Sequence, residues 1–480
     1  MKTQNTSTQA TSFRWVVCAM LFAATMVNYL DRQVLSLTWN EFIKPEFHWT
    51  DSHYGTITAV FSFVYALSMI FAGRFVDWIG SRKGYLWAIG VWSVGACLHA
   101  FCGIITERYV GLHSAAELAA ATGAVAVTIS TVSMYCFLVA RSVLAIGEAG
   151  NFPAAVKITA EYFPMRDRAF ATSIFNAGSS IGALASPLLI PVVAKHFGWE
   201  MAFVIIGALG FMWMGVWVFV YDAPRNNRHV NEAELKYIEQ DNIVKTTDNE
   251  QSQESASERQ FSILECLGYR QTWAFIAGKF FTDGAWWFFL FWVPSYIEVQ
   301  FGIKTTEGLG MALIFTLYAI TMLSIVGGKI PTIIINKTSL DPYAARMRAM
   351  LIYAFLPLVV LFAQPLGAHS PWYPIILIGL ACAAHQSWSA NIYTTVSDMF
   401  PKSAVATIIG LGSMAGGLGS VIMNKTAGNL FDYAEKVNLS FGGFDGKPAG
   451  YFIIFCVCAV SYLVAWIIMK TLVPRLKPIV

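Results

Sequence analysis

Four ionisable side chains stand in stretches where water is scarce. Asp31 and Arg32 are adjacent within the apolar run WVVCAMLFAATMVNYLDRQVLSL, residues 15–37. That run is long enough to cross a bilayer. Arg141 and Glu148 lie seven positions apart in a second apolar run. Two helical turns separate them, so they share a helix face about 10 Å apart along the axis. A charge at mid-membrane costs ~2.5–3.5 kcal/mol on insertion scales, so such residues usually face a bundle interior or a water-filled path. Two acids and two bases form a neutral set, which predicts cross-pairing between the runs. Buried ion pairs stabilise a bundle poorly compared with apolar packing, which favours a functional role for this set over a purely structural one. A guanidinium grips a carboxylate through two parallel hydrogen bonds. A carboxyl group out of water holds a proton more readily. Spacing alone leaves open which acid carries a proton.

These residues need helices to position them. Of 480 residues 56% are hydrophobic and 13% charged, against about 25% charged in soluble domains. Mean hydropathy is +0.55. The apolar excess falls in repeated blocks of spanning length. We expect an all-α polytopic membrane protein with twelve transmembrane helices: 14–37, 54–75, 85–105, 129–152, 169–194, 200–221, 272–297, 307–328, 347–365, 372–395, 404–424 and 449–470. Residues 106–128 are read as extended ends of the hairpin between the third and fourth spans, because Glu107, Arg108, His113 and Glu117 break their apolar character. The first span reads as a retained helix and not a cleaved signal peptide. Eight cysteines show no CxxC spacing, so neither a disulfide framework nor a metal site is expected. Net charge is only +3, and no nucleic-acid partner is implied.

Most of the 32 Lys and Arg fall in loops on the N-terminal side of the membrane. The positive-inside rule then puts both termini in the cytoplasm. A long loop divides the chain into a six-helix bundle (1–221), a linker (222–271) and a second six-helix bundle (272–480). The linker stretch 246–260 is polar and reads as flexible. Before it, Asn231 and Glu234 have the spacing of a capping box for a short helix, NEAELKYIEQD. The halves echo each other. Glu161-Tyr-Phe-Pro164 and Asp398-Met-Phe-Pro401 are each followed by Ala-Thr and then a GxxxG, Gly178/Gly182 and Gly412/Gly416. That order predicts two pseudo-symmetric halves about an axis along the membrane normal.

Between the second and third spans runs Gly73-Arg-Phe-Val-Asp77-Trp-Ile-Gly80-Ser-Arg82-Lys83. It resembles the signature loop of the major facilitator superfamily, with Trp78 in place of the usual basic residue. In that reading Gly73 permits close helix approach, Asp77 can cap a helix N-terminus, and Gly80, Arg82 and Lys83 form a tight, basic cytoplasmic turn.

The resemblance narrows with NYLDR (28–32) and RSVLAIGEAGNFPA (141–154). Further matches are NEAELKYI (231–238), FFTDGAWWFFLFWVPSYI (280–297) and AHQSWSANIYTTVSDMFP (384–401). Together they resemble the anion:cation symporter family of that superfamily, and bacterial hexuronate transporters most closely. The resemblance implies that Arg32 binds a substrate carboxylate, that Glu148 takes the coupled proton, and that Asp31 and Arg141 form a second acid–base pair. It implies proton symport of a sugar-acid anion, D-galacturonate or D-glucuronate, by a monomer in the inner membrane. No cofactor or metal is expected. Sugar hydroxyls call for amides, hydroxyls and aromatic faces. Candidates are Tyr29, Tyr65, Asn176, Ser179, Trp287, His385, Gln386 and Asn391, and His385 is also a rival proton site. Lys279 and Asp283 are expected to pair locally at i,i+4. The alternatives are another organic anion, such as galactonate or an aromatic acid, and a non-transporting membrane sensor. An enzyme is not expected, because no nucleophile–base pair, metal spacing or phosphate loop occurs.

Overall fold

A computed structural model describes residues 10–240, 262–327, 330–338, 340–475 and 479. The linker stretch 246–260 and the Asp77 side chain lie outside the described residues.

The chain is almost wholly helical. Continuous helices form the first (Phe13–Thr38), second (Asp51–Ile79), fifth (Met165–Phe197) and sixth (Trp199–Val220) spans. The seventh (Arg270–Phe301), tenth (Trp372–Met399), eleventh (Lys402–Val437) and twelfth (Lys447–Leu472) are continuous as well. Four spans are broken. The third, Ser81–Ala100 with Cys102–Val110, bends by 42°. The fourth, Gly123–Ala149 with Asn151–Tyr162, breaks at Gly150. The eighth runs as Gly308–Thr321, Ser324–Gly327 and Ile330–Thr338. The ninth passes from Pro342–Phe355 through a 3-10 stretch, Leu356–Phe362, to Ala363–Gly367. Pro357 near the start of that stretch has no N–H for the α-helical bond.

Among the described residues, ten helices are long and apolar enough to cross a membrane, and the bent third makes eleven. The seventh has the length, at 32 residues. Lys279, Asp283, Trp273, Trp286, Trp287 and Trp292 dilute its aliphatic content. With it the count reaches the expected twelve.

Some boundaries differ from expectation. The eleventh helix continues to Val437, well past 424, because its far end packs along the start of the second span. The first helix continues through a π turn, Trp39–Ile43, into Lys44–Phe47. Residues 106–128 hold helical ends and the short helix Ala115–Ala120, capped by Ser114.

The two GxxxG motifs do the same work in each half. A side chain at Gly178 or Gly182 would sit 2.4 Å from the carbonyl of Phe22 or Met26, so they let the fifth span approach the first. Gly412 and Gly416 abut Phe275 and Asp283, so the eleventh packs against the seventh. The order predicted from sequence thus puts each motif at a contact between spans, against backbone in the first half and against side chains in the second.

The linker helix Glu232–Ile238 forms, and Asn231 caps it by accepting from the Glu234 N–H at 2.9 Å. The reciprocal half of the expected capping box is absent. The Glu234 carboxylate instead accepts from the N–H groups of Phe13 and Arg14, both at 3.1 Å, and from Thr11 Oγ1 at 2.6 Å. It also pairs with the Arg14 guanidinium at 3.0 Å. Unpaired N–H groups at the start of the first span offer a buried carboxylate more donors than one cap position does.

In the signature loop, Gly80 takes φ +87°, a left-handed conformation that favours glycine. A side chain at Gly73 would meet nothing within 4 Å, so the expected close helix approach there is corrected. Arg82 pairs with Asp222 and donates to the Val218 carbonyl, joining this turn to the end of the sixth span, while Lys83 is exposed.

Candidate functional site

The site is built around the middle of the first span. Tyr29 and Arg32 are three apart and share a face. Arg32 Nε and Nη2 both donate to Glu148 Oε2 of the fourth span, at 2.9 and 2.5 Å. Glu148 Oε1 is buried without a hydrogen-bond partner. Aromatic rings enclose the guanidinium. Tyr65, Trp287, Tyr29 and Phe61 stand 4.9, 4.9, 5.1 and 5.7 Å from its carbon. Trp287 comes from the second half, so the cage spans the interface between the halves. A cation in such a cage is held by ring quadrupoles as well as by its counter-ion.

Asp31 and Arg141 lie within each other's electrostatic reach but make no direct salt bridge. Both Asp31 carboxylate oxygens are buried without a hydrogen-bond partner. Arg141 Nη2 donates to the Arg32 backbone carbonyl at 3.0 Å, and its guanidinium lies 4.6 Å from the Phe61 ring. Consecutive helical residues point about 100° apart. With Arg32 turned to the cage, Asp31 faces another direction, while Arg141 reaches around to the backbone.

The sugar candidates divide. Tyr29, Ser179 and Gln386 line one small cavity between the halves, with Ser180, Trp286, Tyr318 and Thr321. Asn176 is exposed, and its carbonyl accepts from Ser179 Oγ at 2.7 Å. His385 is buried in the second half, stacked on Trp286 at 4.9 Å and bonded through Nδ1 to Tyr462 Oη at 2.8 Å. Asn391 is turned away from the interface. Its amide donates to its own helix at the Ser387 carbonyl, 2.8 Å, and it neighbours Tyr353 of the ninth span. Lys279 and Asp283 pair as expected, at 2.7 Å.

Several interface residues escaped sequence reasoning. Phe61 lies under both Arg32 and Arg141, one turn before Tyr65 on the same face of the second span; that i,i+4 aromatic spacing was the available signal. The end of the bundle opposite the termini is closed by contacts between the halves. Tyr54 stacks on Trp39 at 4.1 Å, and Trp292 meets both edge-on. Asp51, fully buried, pairs with Lys44 at 3.5 Å and with Lys447 of the other half. Asp432 accepts from the N–H groups of Asp51 and Ser52, at 2.9 and 2.7 Å, capping the second span from across the interface. Gln33 donates to Tyr318 at 2.7 Å. Gly55 and Gly428 cross so closely that a side chain on either would strike backbone, 2.6 Å from the Asn424 carbonyl or 2.4 Å from that of Asp51.

Two helical halves, a caged guanidinium between them and closure at one end describe a polytopic membrane protein. The chain belongs to the major facilitator superfamily, whose model matches residues 21–423. It is 28% identical over 424 residues to the hexuronate transporter of Escherichia coli K12, covering 87% of this chain and 88% of that one. It is 25% identical over 430 residues to a probable galactarate/D-glucarate transporter of the same strain, covering 88% and 90%. In fold it is similar to the crystal structure of a D-xylose–proton symporter, with a TM-score of 0.69 at 15% identity, covering 98% of this chain and all of the other.

Proposed function

We propose that this protein imports a hexuronate, D-galacturonate or D-glucuronate, with one or more protons by alternating access. The observation that carries the reading is Arg32. Its hydrogen bonds to Glu148 go to a single carboxylate oxygen, and aromatic side chains, with the Tyr65 hydroxyl among them, fill its remaining surroundings. A substrate carboxylate can take the place of Glu148 once a proton neutralises that acid, because a neutral carboxyl gives up most of its attraction for the guanidinium. Proton and anion then bind together. The resemblance to a hexuronate transporter supplies the substrate class.

In this reading the basic loops and both termini face the cytoplasm of a bacterium, across its inner membrane, as the positive-inside rule favours. On this reading the closed end faces outward. Asp31 and Arg141, apart in this conformation, are available to pair when Arg32 leaves Glu148. Tyr29, Tyr65 and Trp287 form the floor for the sugar, with Ser179 and Gln386 in reach of its hydroxyls.

Counterflow of labelled glucuronate and galacturonate in proteoliposomes tests this reading. The wild type exchanges both and takes them up faster when the medium is acid relative to the lumen. Arg32→Lys weakens substrate affinity at least about 10-fold, because an ammonium cannot reproduce the planar fork. Exchange of neither hexuronate, or unchanged affinity in Arg32→Lys, overturns it.

A further inference from the structure

One buried acid–base pair stands outside this mechanism. Lys279 and Asp283 lie on the seventh span, and Trp287 follows at the same interval, so the three share one helix face at steps of about 6 Å. Trp287 presents its ring to Arg32 at 4.9 Å. The ion pair therefore continues the line of the Arg32 cage, one and two turns nearer the end that bears the termini. Tyr393 links the two groups. Its ring lies 4.8 Å from Lys279 Nζ, and it is within electrostatic reach of Tyr29 and Tyr65. Asp283 accepts from Lys279 through Oδ2 at 2.7 Å, while Oδ1 is buried with no hydrogen-bond partner. The Asp283 side chain keeps 12% of its surface accessible, against 0% for Glu148.

We infer that Lys279 and Asp283 are the anchor for the hydroxyl end of the sugar acid, opposite the carboxylate held by Arg32. The pair is neutral and holds a donor, shared with Tyr393, beside a buried acceptor, Oδ1, that has no hydrogen-bond partner. A hydroxyl satisfies both at once, giving its proton to Oδ1 and accepting from Nζ, which has three N–H bonds. A second carboxylate at this position can accept from Nζ but has no proton to give Oδ1 and meets it as a like charge, so it satisfies only half of the pair. The site is thus selective for a uronate, whose far end carries the carbon-1 and carbon-2 hydroxyls, over a six-carbon diacid. This inference rests on the hexuronate reading and adds the basis of its selectivity.

The test measures binding to purified full-length protein by calorimetry, using D-glucuronate, its analogues lacking the carbon-1 or carbon-2 hydroxyl, and D-glucarate. In the wild type glucuronate binds at least about 10-fold more tightly than glucarate and than one of the deoxy analogues. Asp283→Asn lowers glucuronate affinity about 10-fold and changes affinity for that analogue less than about twofold. The double variant Lys279→Gln/Asp283→Asn leaves no unpaired charge to destabilise the fold and shows the same selective loss. Wild-type affinity for glucuronate in both variants overturns the inference, as does an equal loss for glucuronate and both analogues, or tighter binding of glucarate by the wild type. If the wild type binds no hexuronate, the function proposed above fails instead.

Discussion

The two halves each bury an acid–base pair, and they build it differently. In the first half the pair joins two helices: Arg32 of the first span holds Glu148 of the fourth. In the second half Lys279 and Asp283 are one turn apart on a single helix. A pair between helices breaks when the helices shift or when one partner is protonated. A pair within one turn travels with its helix and keeps its geometry. The first construction suits a switch and the second a fixed recognition surface. Both face tyrosine rings, Tyr29 and Tyr65 on one side and Tyr393 on the other.

Breaking the switch has the largest expected effect. Arg32→Gln removes the anion's partner and leaves Glu148 buried without its own, so glucuronate uptake falls at least about 100-fold in a proteoliposome assay. Next comes the joint between the halves. Gly428→Val forces a side chain against the Asp51 carbonyl. Closure of that end is blocked, uptake falls about 10-fold or more, and a cysteine replacing Ser52 becomes reactive toward a membrane-impermeant maleimide. Unchanged labelling there counts against a gate at this crossing. The first half is also clasped by the linker through Glu234. Glu234→Ala leaves the first helical turn uncapped, costs about 1–3 kcal/mol and lowers the melting temperature by a few degrees in a thermal-shift assay. The affinity of the folded protein is unchanged. The smallest effect is expected at Asn391, whose amide bonds to its own helix. Asn391→Ala keeps glucuronate affinity within about twofold, and a larger loss would return that residue to the site.

The Arg32–Glu148 ion pair was legible in the sequence because charges in apolar runs are rare and costly. NYLDR and the Arg141–Glu148 spacing therefore named charged residues that the structure brings together, and the aromatic seventh span included Trp287, which covers Arg32. The duplicated GxxxG motifs marked a contact between spans in each half. What could not be read was helix rotation. Nothing in the sequence says that Arg141 reaches the Arg32 carbonyl and leaves Asp31 unbonded, or that Asn391 and His385 turn into the second half. The closed end was equally hidden. Asp51, Asp432 and Lys447 read as ordinary helix-end residues, and their partners lie some 380 or more positions apart in the chain. Glu234 followed a local capping rule in sequence, yet a helix end more than 200 residues away offered its carboxylate more donors.

In the function proposed above, Glu148 couples proton and anion by holding and releasing Arg32. The most direct measurement is accumulation of labelled glucuronate in proteoliposomes under an imposed pH gradient, acid outside, beside glucuronate exchange without a gradient. Glu148→Gln replaces the titrating group with a neutral one of the same shape. The wild type is expected to concentrate glucuronate, while Glu148→Gln retains exchange but does not accumulate. Accumulation by Glu148→Gln at the wild-type rate would contradict it.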